Sequence, residues 1–205
     1  MELNTFSICA RCDKTGQLGV AVSTAVPNVG SLCPYVKAEL GAISVQSLLN
    51  QRLGVDGLKL LAKGKRVEEV LEVVLGKDKD KNKRQLGIVD NNGNSCAWTG
   101  KDCLEWSGHI NDKNISVQGN LLISEDVIKD MYDVFQSTGD LSLKERLMLA
   151  LEAGDKRGGD KRGGDFRSAA LIIYSKEERP TVNLRVDSHP FPVVELRKLL
   201  GEKYV

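Results

Sequence analysis

The strongest constraint on the fold is a set of segments that have strand character and are uncharged on both faces over most of their length. In "NTFSICARCDKTGQLGVAVST", residues 4–24, apolar residues alternate with hydroxyl and thiol residues, and a turn at 13–16 separates two such segments. Strands that are apolar or uncharged on both faces are typical of sheets covered on both sides. Two stacked sheets with helices outside them would bury these strands in that way. The segment therefore predicts a β-hairpin inside a layered core.

The rest of the chain alternates between groups of strands and groups of helices. Further strands are predicted at 40–49, on both sides of the Asn91-Asn92-Gly93 turn, through 109–117, at 168–174 and at 181–186. Apolar residues at helical spacing predict two helices within 54–75, divided at 63–65, two more at 124–136 and 142–153, and a last helix after His189. Segregated groups of this kind predict an α+β fold, and the length suits a single domain over residues 1–205.

Two charged stretches are expected to lie at the surface. "KDKDKNKR" at 77–84 predicts a solvated loop, and the repeated "GDKRGGDKRGG" at 154–164 predicts a flexible loop, because it is too rich in glycine for a helix or strand. The basic residues of the repeat leave open a second interpretation, a rim that contacts a carboxylate or phosphate of a substrate. A net charge of +1 gives no reason to expect a nucleic-acid partner.

The chain has neither an apolar run of membrane-spanning length nor a signal region, so we expect a cytoplasmic protein without a membrane partner. In that setting its five cysteines are expected to be reduced. Cys9 and Cys12 match C-x-x-C, but on a strand they point to opposite faces and make a poor metal or redox pair. We expect no metal and no cofactor.

Two histidines are available for acid–base chemistry, and neither lies in a recognisable motif. His189 is expected at the entry to the last helix, beside Ser188 or Asp187 as a cap, and His109 follows Trp106-Ser107-Gly108. A Ser-His-Asp arrangement stays open as an alternative, although no G-x-S-x-G segment is present.

Thr5, at the start of the first hairpin, suits a different chemistry. A threonine at a new N-terminus carries its own general base, because a free α-amine has a pKa of about 7.7–8.0. Such a site needs a nearby cation that lowers the pKa of the amine, and donors for an oxyanion. From the residues alone, the alternative is a β-branched residue that simply begins a strand.

Several fragments, taken in order, resemble a known family: "TFSICARCDKTGQLGVAV", "VGSLCPYVKAELGAISVQSL", "RQLGIVDNNG", "VQGNLL", "GGDFRSAALII" and "LRVDSHPFPVVELRKLL". The family is domain of unknown function 1028, which is grouped with the N-terminal nucleophile (Ntn) hydrolases. The resemblance covers essentially the whole chain. It implies a four-layer αββα sandwich, but it brings no established substrate.

The same resemblance implies roles for individual residues. Thr5 would be the nucleophile, Lys37 the cation that keeps the Thr5 amine neutral, and Ser124 a supporting hydroxyl. The residues implied in substrate binding are Gly41, Gly119, Asn120 and Arg167. The implied function is hydrolysis of an amide bond in a small molecule or short peptide, and assembly into a homo-oligomer is expected.

Whether the chain is an enzyme depends on the residues that precede Thr5. Removal of an initiator methionine favours a small second residue, so Glu2 predicts that Met1 stays and that Thr5 carries an amide. Ala21 falls near the position where proteasomal sites have an acid. One alternative is therefore a non-catalytic ligand-binding or assembly protein on the same fold. Another is an enzyme whose nucleophile lies elsewhere, with three candidates: Cys9, Cys33 and Ser7.

Overall fold

The computed structural model describes residues 1–162 and 164–204, and within them the chain forms eleven strands and five α-helices. The strands are β1 (Glu2–Leu3), β2 (Thr5–Arg11), β3 (Leu18–Thr24), β4 (Pro34–Lys37), β5 (Gly41–Leu48), β6 (Arg84–Asp90), β7 (Ser95–Thr99), β8 (Gly108–Asp112), β9 (Ile115–Gly119), β10 (Arg167–Tyr174) and β11 (Val182–His189). The helices are α1 (Gln51–Ala62), α2 (Val67–Gly76), α3 (Asp126–Ser137), α4 (Leu143–Lys156) and α5 (Pro192–Lys203).

The strands form two antiparallel sheets among the described residues. The first sheet has the order β1-β5-β6-β7, and β4 also pairs with β5. The second sheet has the order β11-β10-β3-β2-β9-β8. This topology confirms the mixed fold of helices and hairpin-connected strands. It places the predicted hairpin, β2 and β3, at the centre of the second sheet, with Thr5 opposite Thr24.

Each sheet has one face covered by helices. Helices α1 and α2 cover the first sheet through an apolar cluster that includes Ile43 and Ile88. Helices α3, α4 and α5 cover the second sheet through a larger cluster that includes Phe6 and Leu171. The remaining faces of the two sheets are directed at each other, as the contact between Ser7 of β2 and Ser44 of β5 shows. No described helix is long and apolar enough to cross a bilayer.

Most of the predicted elements are confirmed, with small shifts at their ends. Helix α1 begins at Gln51, three residues before the predicted region, because the Asn50 side chain accepts a hydrogen bond from the Arg52 N–H at 3.2 Å and caps the helix. Cys9 and Cys12 lie in different clusters, one between the sheets and one under the helices, as strand alternation predicts.

The prediction of a flexible loop throughout residues 154–164 is wrong for part of that stretch. Residues 154–156 form the last turn of α4, where Gly154 is needed because a Cβ there would lie 2.8 Å from the Met131 sulfur. Asp160 is buried and pairs with Leu122 in an isolated β-bridge. Gly163, which belongs to the repeat, lies outside the described residues.

The prediction of a solvated loop at 77–84 is wrong for two of its charges. Arg84 and Asp78 form an ion pair with an Nε–Oδ2 distance of 3.0 Å, and their side chains are only 8% and 6% exposed. Arg84 also donates to the carbonyl oxygen of Leu48. The alternating charges of the sequence give no indication of this ion pair, which links the end of β5 to the start of β6.

Candidate active site

A buried layer of polar side chains fills the space between the two sheets, centred on Ser7. The Ser7 hydroxyl donates to Gln46 Oε1 at 2.7 Å, accepts from Gln118 Nε2 at 2.7 Å and lies 2.7 Å from Ser44 Oγ. Gln46 Nε2 donates in turn to Gln85 Oε1 at 2.8 Å. All five residues are fully buried. Because they satisfy one another, the network holds its members in fixed orientations.

Thr5 lies at one end of this polar layer. Its carbonyl oxygen accepts hydrogen bonds from Gln46 Nε2 at 3.1 Å and from the Asn120 N–H at 3.0 Å, and its own N–H donates to the Asn120 carbonyl at 3.3 Å. The Thr5 hydroxyl donates to the Leu3 carbonyl at 2.9 Å. Thr5 is fully buried. With residues 1–4 attached, it is therefore held in a precise position but has neither a free amine nor contact with solvent.

The carbonyl of Asn4, which belongs to the peptide bond before Thr5, accepts two hydrogen bonds. Thr24 Oγ1 donates to it at 2.5 Å and the Arg162 guanidinium at 2.9 Å. Arg162 is oriented by Asp160, whose carboxylate lies 2.6 Å from Nη2 and also accepts the Ala25 N–H at 3.0 Å. A hydroxyl and a cation on one carbonyl oxygen are the kind of donors that stabilise an oxyanion.

Sequence reasoning did not assign Thr24, Asp160 or Arg162 to the site, and considered Arg162 only as part of a substrate-contacting rim. A signal for Thr24 was available, because the short turn of the first hairpin fixes its register and so places Thr24 opposite Thr5. The sequence signal for Asp160 and Arg162 was weaker. They stand two residues apart in the second copy of the repeat, where charged side chains indicate a surface loop.

Lys37 and Gly41 are not brought together with Thr5. They face each other where β4 and β5 begin their pairing, and Lys37 is exposed. Thr5 instead contacts Gln46, five residues further along β5, which corresponds to roughly 17 Å at the usual rise per strand residue. Gly41 has a packing reason of its own, since a Cβ there would lie 2.8 Å from the backbone carbonyl oxygen of Val89 on β6.

The other predicted site residues divide into two groups. Asn120 pairs with Thr5, and the Gly119 carbonyl accepts from Gln85 Nε2 at 2.8 Å, so both border the polar layer. Ser124 instead accepts the Asp126 N–H at 3.2 Å at the start of α3. Arg167 is ion-paired with Asp155 of α4 at 2.9 Å. Within the described residues, the buried Asn120 Oδ1 has no hydrogen-bond partner.

The two histidines lie on opposite edges of the second sheet. His109 is on β8, with Nδ1 2.9 Å from Thr99 Oγ1, and burial lowers its pKa. His189 ends β11, and its Nδ1 accepts the Phe191 N–H at 3.1 Å just before α5. The prediction that His189 lies at a helix entry is confirmed, with the imidazole itself accepting the hydrogen bond.

The alternative nucleophiles Cys9, Cys33 and Ser7 lie inside the polar layer or beside it. Burial raises the pKa of Cys33 to about 12 and raises the pKa of Cys9 well above its usual value. Reactive cysteines have lowered pKa values, because the thiolate is the nucleophile. Ser7 donates its hydroxyl proton to Gln46, as Thr5 donates its own to Leu3. The raised pKa values therefore disfavour Cys9 and Cys33 as nucleophiles, whereas the hydrogen bonds do not separate Ser7 from Thr5.

The architecture defines a protein of mixed helices and strands, with two antiparallel sheets and a buried polar layer between them. The chain belongs to a family of unknown function, DUF1028, whose model matches residues 5–196. The crystal structure of protein SPO2555 from Silicibacter pomeroyi, from the same family, is similar with a TM-score of 0.89 and 28% identity, over 98% of this chain and 90% of that chain. This match confirms the family resemblance.

More distant matches are to Anbu (ancestral beta-subunit) structures. The protein from Yersinia bercovieri has a TM-score of 0.46 and 16% identity, over 97% of this chain and 94% of that chain. Anbu from Hyphomicrobium sp. strain MC1 has a TM-score of 0.45 and 13% identity over the same shares of the two chains. Among curated proteins, no significant match was found.

Proposed function

We propose that this chain is an N-terminal nucleophile amide hydrolase, which becomes active when residues 1–4 are cleaved off and Thr5 gains a free amine. The observation that carries the proposal is the Asn4 carbonyl, which accepts hydrogen bonds from Thr24 and Arg162. These donors lie at the bond that must break. The family match, which begins at residue 5, is consistent with a functional unit that starts at Thr5.

The first step is cleavage of the chain by Thr5 itself. The Thr5 hydroxyl attacks the Asn4 carbonyl carbon, and the charge that develops on the carbonyl oxygen is stabilised by Thr24 and Arg162. The C–N bond breaks, the nitrogen takes up the hydroxyl proton, and an ester joins Asn4 to the Thr5 oxygen. Water hydrolyses this ester and releases a tetrapeptide with a C-terminal carboxylate. Thr5 is left with a free amine.

In the second stage the freed amine acts as the base for external substrates. It accepts the Thr5 hydroxyl proton as the oxygen attacks a substrate amide, and it returns the proton to the leaving amine, which leaves an acyl ester on Thr5. Water, with the amine again as base, then hydrolyses this ester, releases the acid product and restores the Thr5 hydroxyl. The Arg162 guanidinium supplies the nearby positive charge that favours the neutral amine. The resemblance assigns this role to Lys37, whereas the contacts around Asn4 favour Arg162. The unpartnered Asn120 Oδ1 is an available acceptor beside the new amine.

We also propose that the two sheets and their helices form the four-layer αββα sandwich of the Ntn hydrolases. Support comes from the apolar clusters that join α1 and α2 to the first sheet and α3, α4 and α5 to the second. The polar layer lies between the sheets. The substrate would be a small molecule or short peptide with an amide bond, and the enzyme would work in the cytoplasm, as a homo-oligomer.

The test of the proposal is the intact mass of the purified protein before and after prolonged incubation. Loss of residues 1–4 is expected in the native chain. It should be absent in Thr5→Ala, which has no hydroxyl, and retained in Thr5→Ser. A native chain that keeps Met1 through Asn4 under all conditions would contradict the proposal.

Two further variants test whether Arg162 or Lys37 supplies the positive charge at the site. Arg162→Ala is expected to slow cleavage by about 100- to 1,000-fold, the usual cost of losing one oxyanion donor. Lys37→Ala should leave the rate unchanged, because Lys37 lies at the far end of β5. The opposite pattern, with Lys37→Ala inactive and Arg162→Ala active, would return the cationic role to Lys37.

A second candidate function is a non-catalytic ligand-binding or assembly protein. It is favoured by the burial of Thr5 and by the tight pairing of its N–H and carbonyl with Asn120 while residues 1–4 are attached. The same mass measurement decides between the two. Retention of residues 1–4 would leave Thr5 without a base and would favour the binding protein.

A further inference from the structure

Residues 1–4 occupy a position that a peptide could also occupy. Strand β1 pairs antiparallel with β5, with Glu2 opposite Leu48 and Leu3 opposite Ser47. The Leu49 N–H also donates to the Met1 carbonyl at 3.0 Å. If this segment left, the end of β5 would become an unpaired sheet edge. Such an edge binds an added extended peptide through main-chain hydrogen bonds.

Leu3 fills an apolar pocket beside this edge. Its side chain is fully buried although it belongs to a two-residue strand near the start of the chain. The pocket is formed by apolar side chains from β3, from β10 and from the segment between β3 and β5: Val22, Val26, Val29, Leu32, Cys33 and Ala170. Departure of Leu3 would leave an apolar cavity, which is unfavourable until another apolar group fills it.

The edge is also fixed in an unusual conformation. Ser47, which faces Leu3, has a φ of 67°, in the left-handed region that non-glycine residues rarely adopt. Strained residues of this kind concentrate at ligand sites, where the surrounding structure holds them in place. Here the buried Asp78–Arg84 pair supplies such support, because Arg84 donates to the carbonyl of the next residue, Leu48.

We propose that the edge of β5 and the Leu3 pocket form the acyl-side binding site for a peptide substrate, and that residues 1–4 occupy it as the first, tethered substrate. The inference rests on the proposed function for its cleavage step. The substrate class is a peptide that pairs antiparallel with β5 and places a leucine-sized apolar side chain two residues before the amide that Thr5 cleaves. Because Glu2 is exposed, the site should accept different side chains at the substrate position just before the leucine.

The first experiment compares three substrates on protein whose mass shows loss of residues 1–4. They are acetyl-Glu-Leu-Asn, acetyl-Glu-Asp-Asn and acetyl-Lys-Leu-Asn, each joined by an amide to aminomethylcoumarin. Asp in place of Leu is expected to lower kcat/KM by about 10- to 100-fold, because a buried apolar side chain is lost. Lys in place of Glu should change it by less than about fivefold, because the exposed position offers only weak charge interactions. Equal cleavage of the Leu and Asp substrates would overturn the pocket but leave the hydrolase intact.

The second experiment does not depend on hydrolysis. In the full-length Leu3→Asp chain the segment should leave the pocket, because an unpaired carboxylate is costly to bury. Acetyl-Glu-Leu-Asn-amide, added in excess, should then raise the Tm of this variant, whereas acetyl-Glu-Asp-Asn-amide should not. The Thr5→Ala chain, which keeps residues 1–4 with Leu3 in place, is the matched control and should respond to neither peptide. If Leu3→Asp fails to fold, Leu3→Ser serves the same purpose.

The two experiments can fail separately. Selective stabilisation by the Leu peptide in a chain that is never cleaved would support the pocket and reject the hydrolase. Stabilisation by both peptides, or by neither, would reject the pocket whether or not residues 1–4 are removed.

Discussion

The two faces of β2 are equally buried but have opposite chemistry. On one face Phe6, Ile8 and Ala10 belong to the apolar cluster under α3, α4 and α5. On the other face Thr5 and Ser7 point towards the first sheet and form hydrogen bonds with residues of neighbouring strands. Apolar burial stabilises the first face directly. On the second face, each buried polar group costs free energy unless it has a hydrogen-bond partner. A gain in stability therefore does not by itself explain why this face is polar.

The polar character of the second face is also uneven along the strands. At the Thr5 end the layer contains glutamine and asparagine side chains, including Gln46, Gln85 and Asn120. Towards the other end the two sheets meet through a small apolar cluster: Cys9, Leu18, Val20, Ala42 and Val89. The same interface can therefore be built without polar groups. Their concentration near Thr5 indicates that they position the residue that we propose as the nucleophile.

The largest expected effect is on the apolar face. Phe6→Ala should lower the free energy of unfolding by about 3–5 kcal/mol, because Phe6 is fully buried and its removal leaves a cavity under α4. Phe191 is 63% exposed, so Phe191→Ala is the matched control, with a change within about 0.5 kcal/mol. Urea unfolding measures both. Similar losses in the two variants would show that the apolar face of β2 is not the main core.

A smaller effect is expected on the polar face. Gln46→Ala should lower the free energy of unfolding by about 2–3 kcal/mol, because it leaves the buried Ser7 hydroxyl, Thr5 carbonyl and Gln85 side chain with fewer partners. The exposed Gln136 of α3 gives the control, Gln136→Ala, with a change within about 0.5 kcal/mol. The measurement is again urea unfolding. A loss at Gln46 no greater than at Gln136 would argue against a tightly connected layer.

Most of the fold could be predicted from local patterns. Strand alternation with an obvious turn located the central hairpin, and helical spacing located all five helices, because both signals lie within a few neighbouring residues. Strands β1 and β4 were not predicted. Both strands are short. Strand β4 begins with a proline, which is compatible with an edge strand, although in the sequence alone it indicates a turn.

The candidate site was harder to predict because its residues come from distant parts of the chain. Ser7, Ser44, Gln85 and Gln118 lie on four different strands, so no spacing between them forms a recognisable motif. The resemblance implied a place for Lys37 beside Thr5, but β4 carries Lys37 to the far end of β5. Thr5 was named through the family resemblance, because its place at the start of the hairpin is equally typical of a β-branched residue that simply begins a strand.

The smallest effect concerns two cysteines on opposite sides of the second sheet. Burial raises the pKa of Cys33 to about 12, against about 8.5 in an unfolded chain, so above pH 9 the unfolded state binds fewer protons and stability falls as pH rises. The contribution of Cys33 is about 1.4 kcal/mol per pH unit between pH 9 and pH 11.

The pKa of Cys12 is shifted in the opposite direction. Burial raises this pKa, but hydrogen bonds from Thr15 and Lys14 outweigh that effect and lower it. Cys33→Ala should therefore make the alkaline loss of stability shallower and Cys12→Ala should make it steeper, as measured by urea unfolding at pH 8, 9 and 10. Parallel curves for the two variants would mean that the pKa values of Cys33 and Cys12 are not shifted in opposite directions, and the contrast between the two cysteines would fail.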